Sequence, residues 1–245
     1  MLAVPGTAAD ADSDLVEHIA DSAAMSCRGA DVLVCFLSGD SDSLAVTLAE
    51  FPADGDEPGR QAVVVPLLAG PHPTFDAQIA TAIEQAEGSV MLAGHLGPHP
   101  LLAGALHDRL SDAGLARASR AFGLSVSAGA DGVLVLADRG PQAIGDAGLT
   151  AVLLAARLNA PVVPASLGDQ ASIDDALERL RAAGATRPAL APCIIGPETE
   201  PAEVDELSRT IGMPSSGPIG DHPAVAQLVS ARYGEALAQI SLASH

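Results

Sequence analysis

The sequence predicts an α/β fold of two tandem lobes, each a parallel sheet flanked by helices. Three observations carry this. Apolar runs rich in β-branched residues alternate with helical patterns along the whole chain, the order that builds parallel sheets. Three short motifs of the first half return in the second at nearly constant spacing. The composition is 48% hydrophobic but only 2% aromatic over 245 residues, enough for a large aliphatic core.

The elements follow in order. Met1-Leu2-Ala3-Val4 reads as a very short strand closed by Pro5-Gly6-Thr7. Leu15 to Met25 reads as an amphipathic helix, with Leu15, Ile19 and Ala23 on one face and Asp14, Glu17 and Asp21 on the other. Residues 31–37 (DVLVCFL) read as a strand. Residues 41–51 read as a helix capped by Ser43, and 52–60 as a polar Pro/Gly loop. A strand at 63–68 leads to a helix that Thr74 can cap and whose Ile79 and Ile83 point inward. A strand at 89–93 and a helix at 101–110 complete the first half.

The second half reads as a strand at 132–137, a helix at 149–158 and a strand at 160–166. Ser172-Ile173-Asp174-Asp175 resembles a capping box with Asp in the fourth place. The helix it opens puts Ile173, Ala176, Leu177 and Leu180 on one face. A strand at 189–195 and helices at 201–211 and 222–242 end the chain.

The repeat is specific. Leu2–Gly6 corresponds to Leu134–Gly140 at offsets of 132 to 134 residues. Pro66-Leu67-Leu68-Ala69-Gly70-Pro71 corresponds to Pro192-Cys193-Ile194-Ile195-Gly196-Pro197, 126 residues later. Leu96-Gly97-Pro98-His99-Pro100 corresponds to Ile219-Gly220-Asp221-His222-Pro223, 123 residues later. A tandem duplication accounts for this, with a boundary inside or just after 114–130. The expected domains are 1–128 and 129–245, and a cleft between such lobes is a favoured ligand site.

Composition excludes several functions. The formal charge is −19 and all 12 basic residues are arginine. Such a chain repels nucleic-acid phosphates and anionic membranes, so neither partner is expected. Without lysine there is no Schiff base and no lysine-dependent phosphate loop. Residues 1–20 have no basic start with an apolar block, so a signal peptide is not expected. No apolar run approaches membrane-spanning length. Cys27, Cys35 and Cys193 have no metal-finger spacing. Cys35 and Cys193 sit in apolar runs as small hydrophobes, which suits a reduced, cytoplasmic chain. Nucleotide-binding glycine motifs, the HExxH zinc motif and the GxSxG elbow are absent, and no organic cofactor is expected.

The stretch with chemistry in it is Val63–Asp76. A buried strand runs into a Gly/Pro turn, reaches His72 and enters a helix. Side chains on such loops lie at the carboxyl edge of the sheet, where open α/β folds bind ligands. Imidazole is a good donor for Co²⁺, Fe²⁺ and Ni²⁺. Asp76, in the first helical turn, is favoured there by the helix dipole, with a lesser reading as a partner orienting His72.

These motifs resemble the sirohydrochlorin chelatases, the CbiX-type class II tetrapyrrole chelatases. Pro66–His72 with Asp76 looks like that family's strand-loop motif. Leu96–Pro100 and Ile219–Pro223 look like its second recurring motif. Arg109 and Arg232-Tyr233 match its common helix endings. The resemblance spans both halves and implies a chelatase-like fold. It also implies insertion of a divalent metal substrate, Co²⁺ or Fe²⁺, into sirohydrochlorin in cobalamin or siroheme synthesis.

The resemblance makes His72 the principal metal ligand and catalytic residue. The family's other histidine, after the first strand, is replaced by Pro5, and its second-half counterpart is Asp138-Arg139-Gly140. His95, at another strand end, is the candidate for the missing imidazole. Glu198 occupies the slot of His72 in the second half and is a candidate ligand or base. Arg139 is a candidate contact for the tetrapyrrole's carboxylates. His99 and His222, at equivalent helix starts, read as structural. The loss at Pro5 leaves an alternative, a degenerate homologue that binds metal or tetrapyrrole as carrier or regulator. A monomer or homodimer is expected.

Overall fold

The computed structural model describes residues 1–27, 29–39, 41–51, 61–116 and 129–243. The polar loop read at 52–60 and most of the expected boundary segment 114–130 lie outside them. The chain divides into two compact units. The first comprises Met1–Leu68, Pro73–Leu96 and Asp221–His245; the second comprises Ala69–His72 and Gly97–Gly220.

The first unit holds a four-stranded parallel sheet in the order β2-β1-β3-β4. Its strands are β1 (Leu2–Val4), β2 (Val34–Phe36), β3 (Ala62–Pro66) and β4 (Val90–Leu92). β1 and β3 are buried at every residue, as strands covered on both faces must be. Its helices are α1 (Ser13–Ser26), α2 (Leu44–Ala49), α3 (Pro73–Glu84) and, from the end of the chain, α8 (Pro223–Ala243). α8 packs on α1 and on β3. Ala3, Cys35, Leu44, Leu48, Val64 and Ile79 form one buried cluster.

The second unit holds a three-stranded parallel sheet in the order β6-β5-β7. β5 is Gly132–Ala137, β6 is Val162–Ser166 and β7 is Pro188–Pro192. The run GVLVLA of β5 is fully buried and is the central strand. The helices are α4 (Pro100–Asp112), α5 (Pro141–Leu158), α6 (Gln170–Ala182) and α7 (Pro201–Ile211). α4 lies in the N-terminal half of the sequence, yet it packs on α5 and β7. Each unit thus takes one helix from the other half of the chain.

Three local expectations are corrected. The strand read at 31–37 is only Val34–Phe36, because its neighbour β1 offers three residues to pair with. Thr74 does not cap α3, which already begins at Pro73; proline suits a first turn, where its missing N–H costs nothing. The capping box at Ser172 is displaced by one turn. Asp169 is the cap, its carboxylate accepting from Ser172 N at 3.2 Å, and Ser172 lies inside the helix. Two further readings shift: the helix read at 149–158 begins at Pro141, and the buried face of α1 has Val16 in place of Leu15 beside Ile19 and Ala23. Ser43 caps α2, and Ile173, Ala176 and Leu180 are the buried face of α6. All three cysteines are free and buried.

Candidate metal and tetrapyrrole site

The loop between β3 and α3 carries His72. Pro66 ends β3, and the apolar Leu67 and Leu68 are fully buried beyond it. Gly97, in the second recurring motif, keeps room for this loop. A Cβ there would collide with the Ala69 carbonyl and come within 2.6 Å of Leu102 Cδ1. The glycine is thus required by a close backbone approach. His72 is 7% exposed.

Opposite its ring stands Asp138, the first residue after β5. His72 Nε2 lies 3.5 Å from Asp138 Oδ2. The other carboxylate oxygen, Oδ1, accepts from the Arg139 amide at 2.8 Å and from Thr199 Oγ1 at 3.3 Å. Ser166 Oγ, at the end of β6, donates to the Asp138 carbonyl at 3.0 Å. Oδ2 is buried and has no hydrogen-bond partner among the described residues. Burial pushes the Asp138 carboxyl above the ordinary range, opposed by the Arg139 amide, His72, the Arg139 guanidinium and Thr199. Asp138 is the residue that sequence reasoning missed. The signal was available: it ends the strand equivalent to β1, beside the slot where the family's histidine would stand.

Glu198 lies in the loop between β7 and α7 and turns inward. Its Oε1 accepts from Ile195 N at 2.6 Å and its Oε2 from Gly196 N at 2.8 Å. Both oxygens are therefore used in closing their own loop. Burial pushes its carboxyl up to about 7 despite these amides, and the Asp138 charge adds to the rise. The same burial, with the Glu198 charge, pushes the Cys193 thiol up to about 12. Thr199, next to Glu198, is delivered to Asp138 by this closed loop.

Arg139 extends past the pair, about half-exposed, and forms an ion pair with Glu203 of α7. It lines a shallow cavity of about 310 Å³ together with Leu167, Gly168, Glu206 and Thr210. His95 belongs to the first unit. Its Nε2 bonds Asp76 Oδ1 at 2.8 Å, and its carbonyl accepts from Arg232 Nε at 2.6 Å. The hydrogen bond seen at Asp76 is therefore with His95. Among the described residues no group of three or more His, Cys, Asp or Glu side chains is placed to hold a metal. His72 and Asp138 are a two-donor pair.

His99 and His222 are structural, as their repetition suggested. Each caps its helix through Nδ1, which accepts from Leu101 N at 3.1 Å and from Ala224 N at 3.2 Å respectively.

The chain is an α/β protein of two parallel sheets flanked by helices. SirB from Bacillus subtilis with Fe³⁺ superimposes with a TM-score of 0.63 at 18% identity, covering 96% of this chain and 94% of SirB. The sirohydrochlorin chelatase SirB from Bacillus subtilis subspecies spizizenii in complex with cobalt gives a TM-score of 0.61 at 17% identity, covering 96% and 93%. Identities at this level show the shared fold. No curated protein matches the sequence. Residues 2–113 match the CbiX family model. No helix among the described residues is long and apolar enough to cross a membrane.

Proposed function

We propose that the protein inserts Co²⁺ or Fe²⁺ into sirohydrochlorin. The observation that carries this is His72. It stands in the CbiX-matched segment, at the carboxyl edge of a parallel sheet, with its ring held beside a buried carboxylate. Insertion needs a donor that binds the ion loosely enough to release it, and a neutral imidazole with few companions meets that need. It also needs a grip on the macrocycle. Arg139, next to Asp138 at the end of β5, is half-exposed, and guanidinium pairs well with carboxylates. Glu198 serves the site by fixing the loop that carries Thr199. His95 is tied to Asp76 within the first unit.

The structural kinship supports this reading, since the two SirB structures hold iron and cobalt. The sequence repeat fits a duplicated single-lobe ancestor. The test is to incubate purified protein with sirohydrochlorin and each ion, following the change in tetrapyrrole absorbance against the uncatalysed rate. Acceleration that disappears in His72→Ala is the expected result. No acceleration with any divalent metal overturns the enzymatic reading.

Pro5 favours one other reading. With proline where the family's first histidine stands, that reading is a carrier or regulator that binds metal or tetrapyrrole without inserting. That protein would shift the tetrapyrrole spectrum on binding and leave the insertion rate unchanged.

A further inference from the structure

We propose that Asp138 is the second metal donor of this protein, forming with His72 a clamp for one divalent cation. The chelatase reading gives the clamp its purpose, but the geometry stands without it.

Four observations point to this. First, Asp138 Oδ2 is a buried carboxylate oxygen with no hydrogen bond among the described residues. Buried polar atoms almost always find partners, so an orphan asks for an explanation. Second, the atom facing it is His72 Nε2 at 3.5 Å, too far for a good hydrogen bond. When the imidazole is protonated this is a long ion pair; with the ring neutral and its proton on Nδ1, two electron-pair donors face across the gap, the arrangement a cation relieves. Third, the spacing suits a metal. At bond lengths of about 2.1 Å, donors this far apart subtend about 110° at a shared ion, close to tetrahedral.

Fourth, the carboxylate is held for that task. Oδ1 is fixed by the Arg139 amide and Thr199, and the Asp138 carbonyl is fixed by Ser166. Fixing one oxygen leaves the other aimed at the imidazole. The supporting groups come from the ends of β5, β6 and β7, a rigid frame of the kind that preorganises a ligand set. Asp138 also follows the strand equivalent to β1, whose own loop has lost its histidine to Pro5. The second half of the chain thus supplies the donor that the first half lacks. Water or the incoming macrocycle fills the other coordination positions, as release of the ion requires.

The test uses Co²⁺ alone on the full chain, with titration calorimetry and the visible absorption of low-symmetry Co²⁺. Asp138→Asn keeps the size of the side chain and the acceptor for the Arg139 amide. It is expected to weaken Co²⁺ binding by about 10–100-fold, as losing a close partner at a metal site does. His72→Ala should weaken it at least as much. The double variant should lose little beyond the worse single one, because both residues act on one ion. Thermal melting of metal-free Asp138→Asn checks that the variant is folded at the temperature of the titration. Wild-type Co²⁺ affinity in Asp138→Asn overturns the proposal, as does a wild type that binds no Co²⁺. The insertion assay is read separately. Insertion with an indifferent Asp138→Asn sinks the clamp alone; Co²⁺ binding through the pair without insertion sinks the chelatase reading alone.

Discussion

Arg109 donates from Nε and Nη2 to the carbonyl of Ile219, at 2.9 and 2.7 Å. The arrangement recurs 123 residues on in the sequence: Arg232 reaches the carbonyls of His95 at 2.6 Å and Leu96 at 3.3 Å. Leu96 precedes Ile219 by the same interval. Each arginine ties its helix to the loop ahead of a recurring Gly-x-His-Pro motif, and each tie closes within one compact unit. These are charge-assisted bonds to partly buried carbonyls. Arg109→Ala and Arg232→Ala should each lower stability by about 1.5–3 kcal/mol. Urea titration of the purified variants checks this; a loss within error for both would make the ties ornamental.

The histidine caps make a prediction that separates architecture from chemistry. Replacing His99 or His222 by alanine strips an acceptor from the first turn of α4 or α8. Each change should cost about 1 kcal/mol, the usual value of a lost cap. Neither should alter the insertion rate at temperatures where the variant is folded. A large fall in rate with normal stability would move that histidine into the site.

Most of the fold was legible because it rests on patterns the backbone must respect. Gly132–Ala137 reads as a buried strand and is one, and Pro201–Ile211 reads as a helix and is one. The capping errors at Thr74 and Ser172 have a common cause. Several residues near a helix start can serve as caps, and geometry chooses among them. The site was half legible. His72 announces itself by its strand-end loop. Asp138 does not, because its partner lies 66 positions away in the sequence and no local pattern links them. Glu198 is the converse case. It occupies the slot of His72, and its oxygens accept from the amides of Ile195 and Gly196, three and two residues away.

Glu198 gives a pH prediction with a definite sign. Burial pushes its carboxyl up to about 7 in the folded chain, above the ordinary 4.5 of an exposed glutamate. Between those values the native state holds a proton that the unfolded chain has released. The contribution to stability is fully present below about pH 4.5 and is lost as pH rises through about 7. The size is on the order of 3 kcal/mol, from about 1.4 kcal/mol per pK unit. Glu198→Gln should remove this slope from a plot of unfolding free energy between pH 5 and 8. An unchanged slope would show that the carboxyl is ionised throughout.

Asp131 predicts the reverse behaviour at acid pH. Its carboxylate accepts from the amides of Thr186 and Arg187 at 3.0 and 2.7 Å and from Thr186 Oγ1 at 2.7 Å. These bonds pull its carboxyl down to about 2 and fasten the start of β5 to the start of β7. Its stabilising effect is present above about pH 3.8, the ordinary value of an aspartate, and disappears as pH falls through about 2. Acid titration followed by circular dichroism should show Asp131→Asn unfolding at a higher pH than the wild type. Coincident acid midpoints would leave these bonds without weight in stability.

The ion pair of Arg139 with Glu203 bears on substrate capture. Glu203 holds the guanidinium that is assigned to the macrocycle's carboxylates, so protein and substrate compete for one cation. Releasing it should help. Glu203→Gln should lower the KM for sirohydrochlorin by about two- to fivefold, the range a half-exposed pair commands. Arg139→Ala should raise the KM, with kcat much less affected, because the contact orients and does not react. The contrast between the two variants is the decisive part. A general disturbance of the β7–α7 region would move both in the same direction, whereas competition for Arg139 moves them apart.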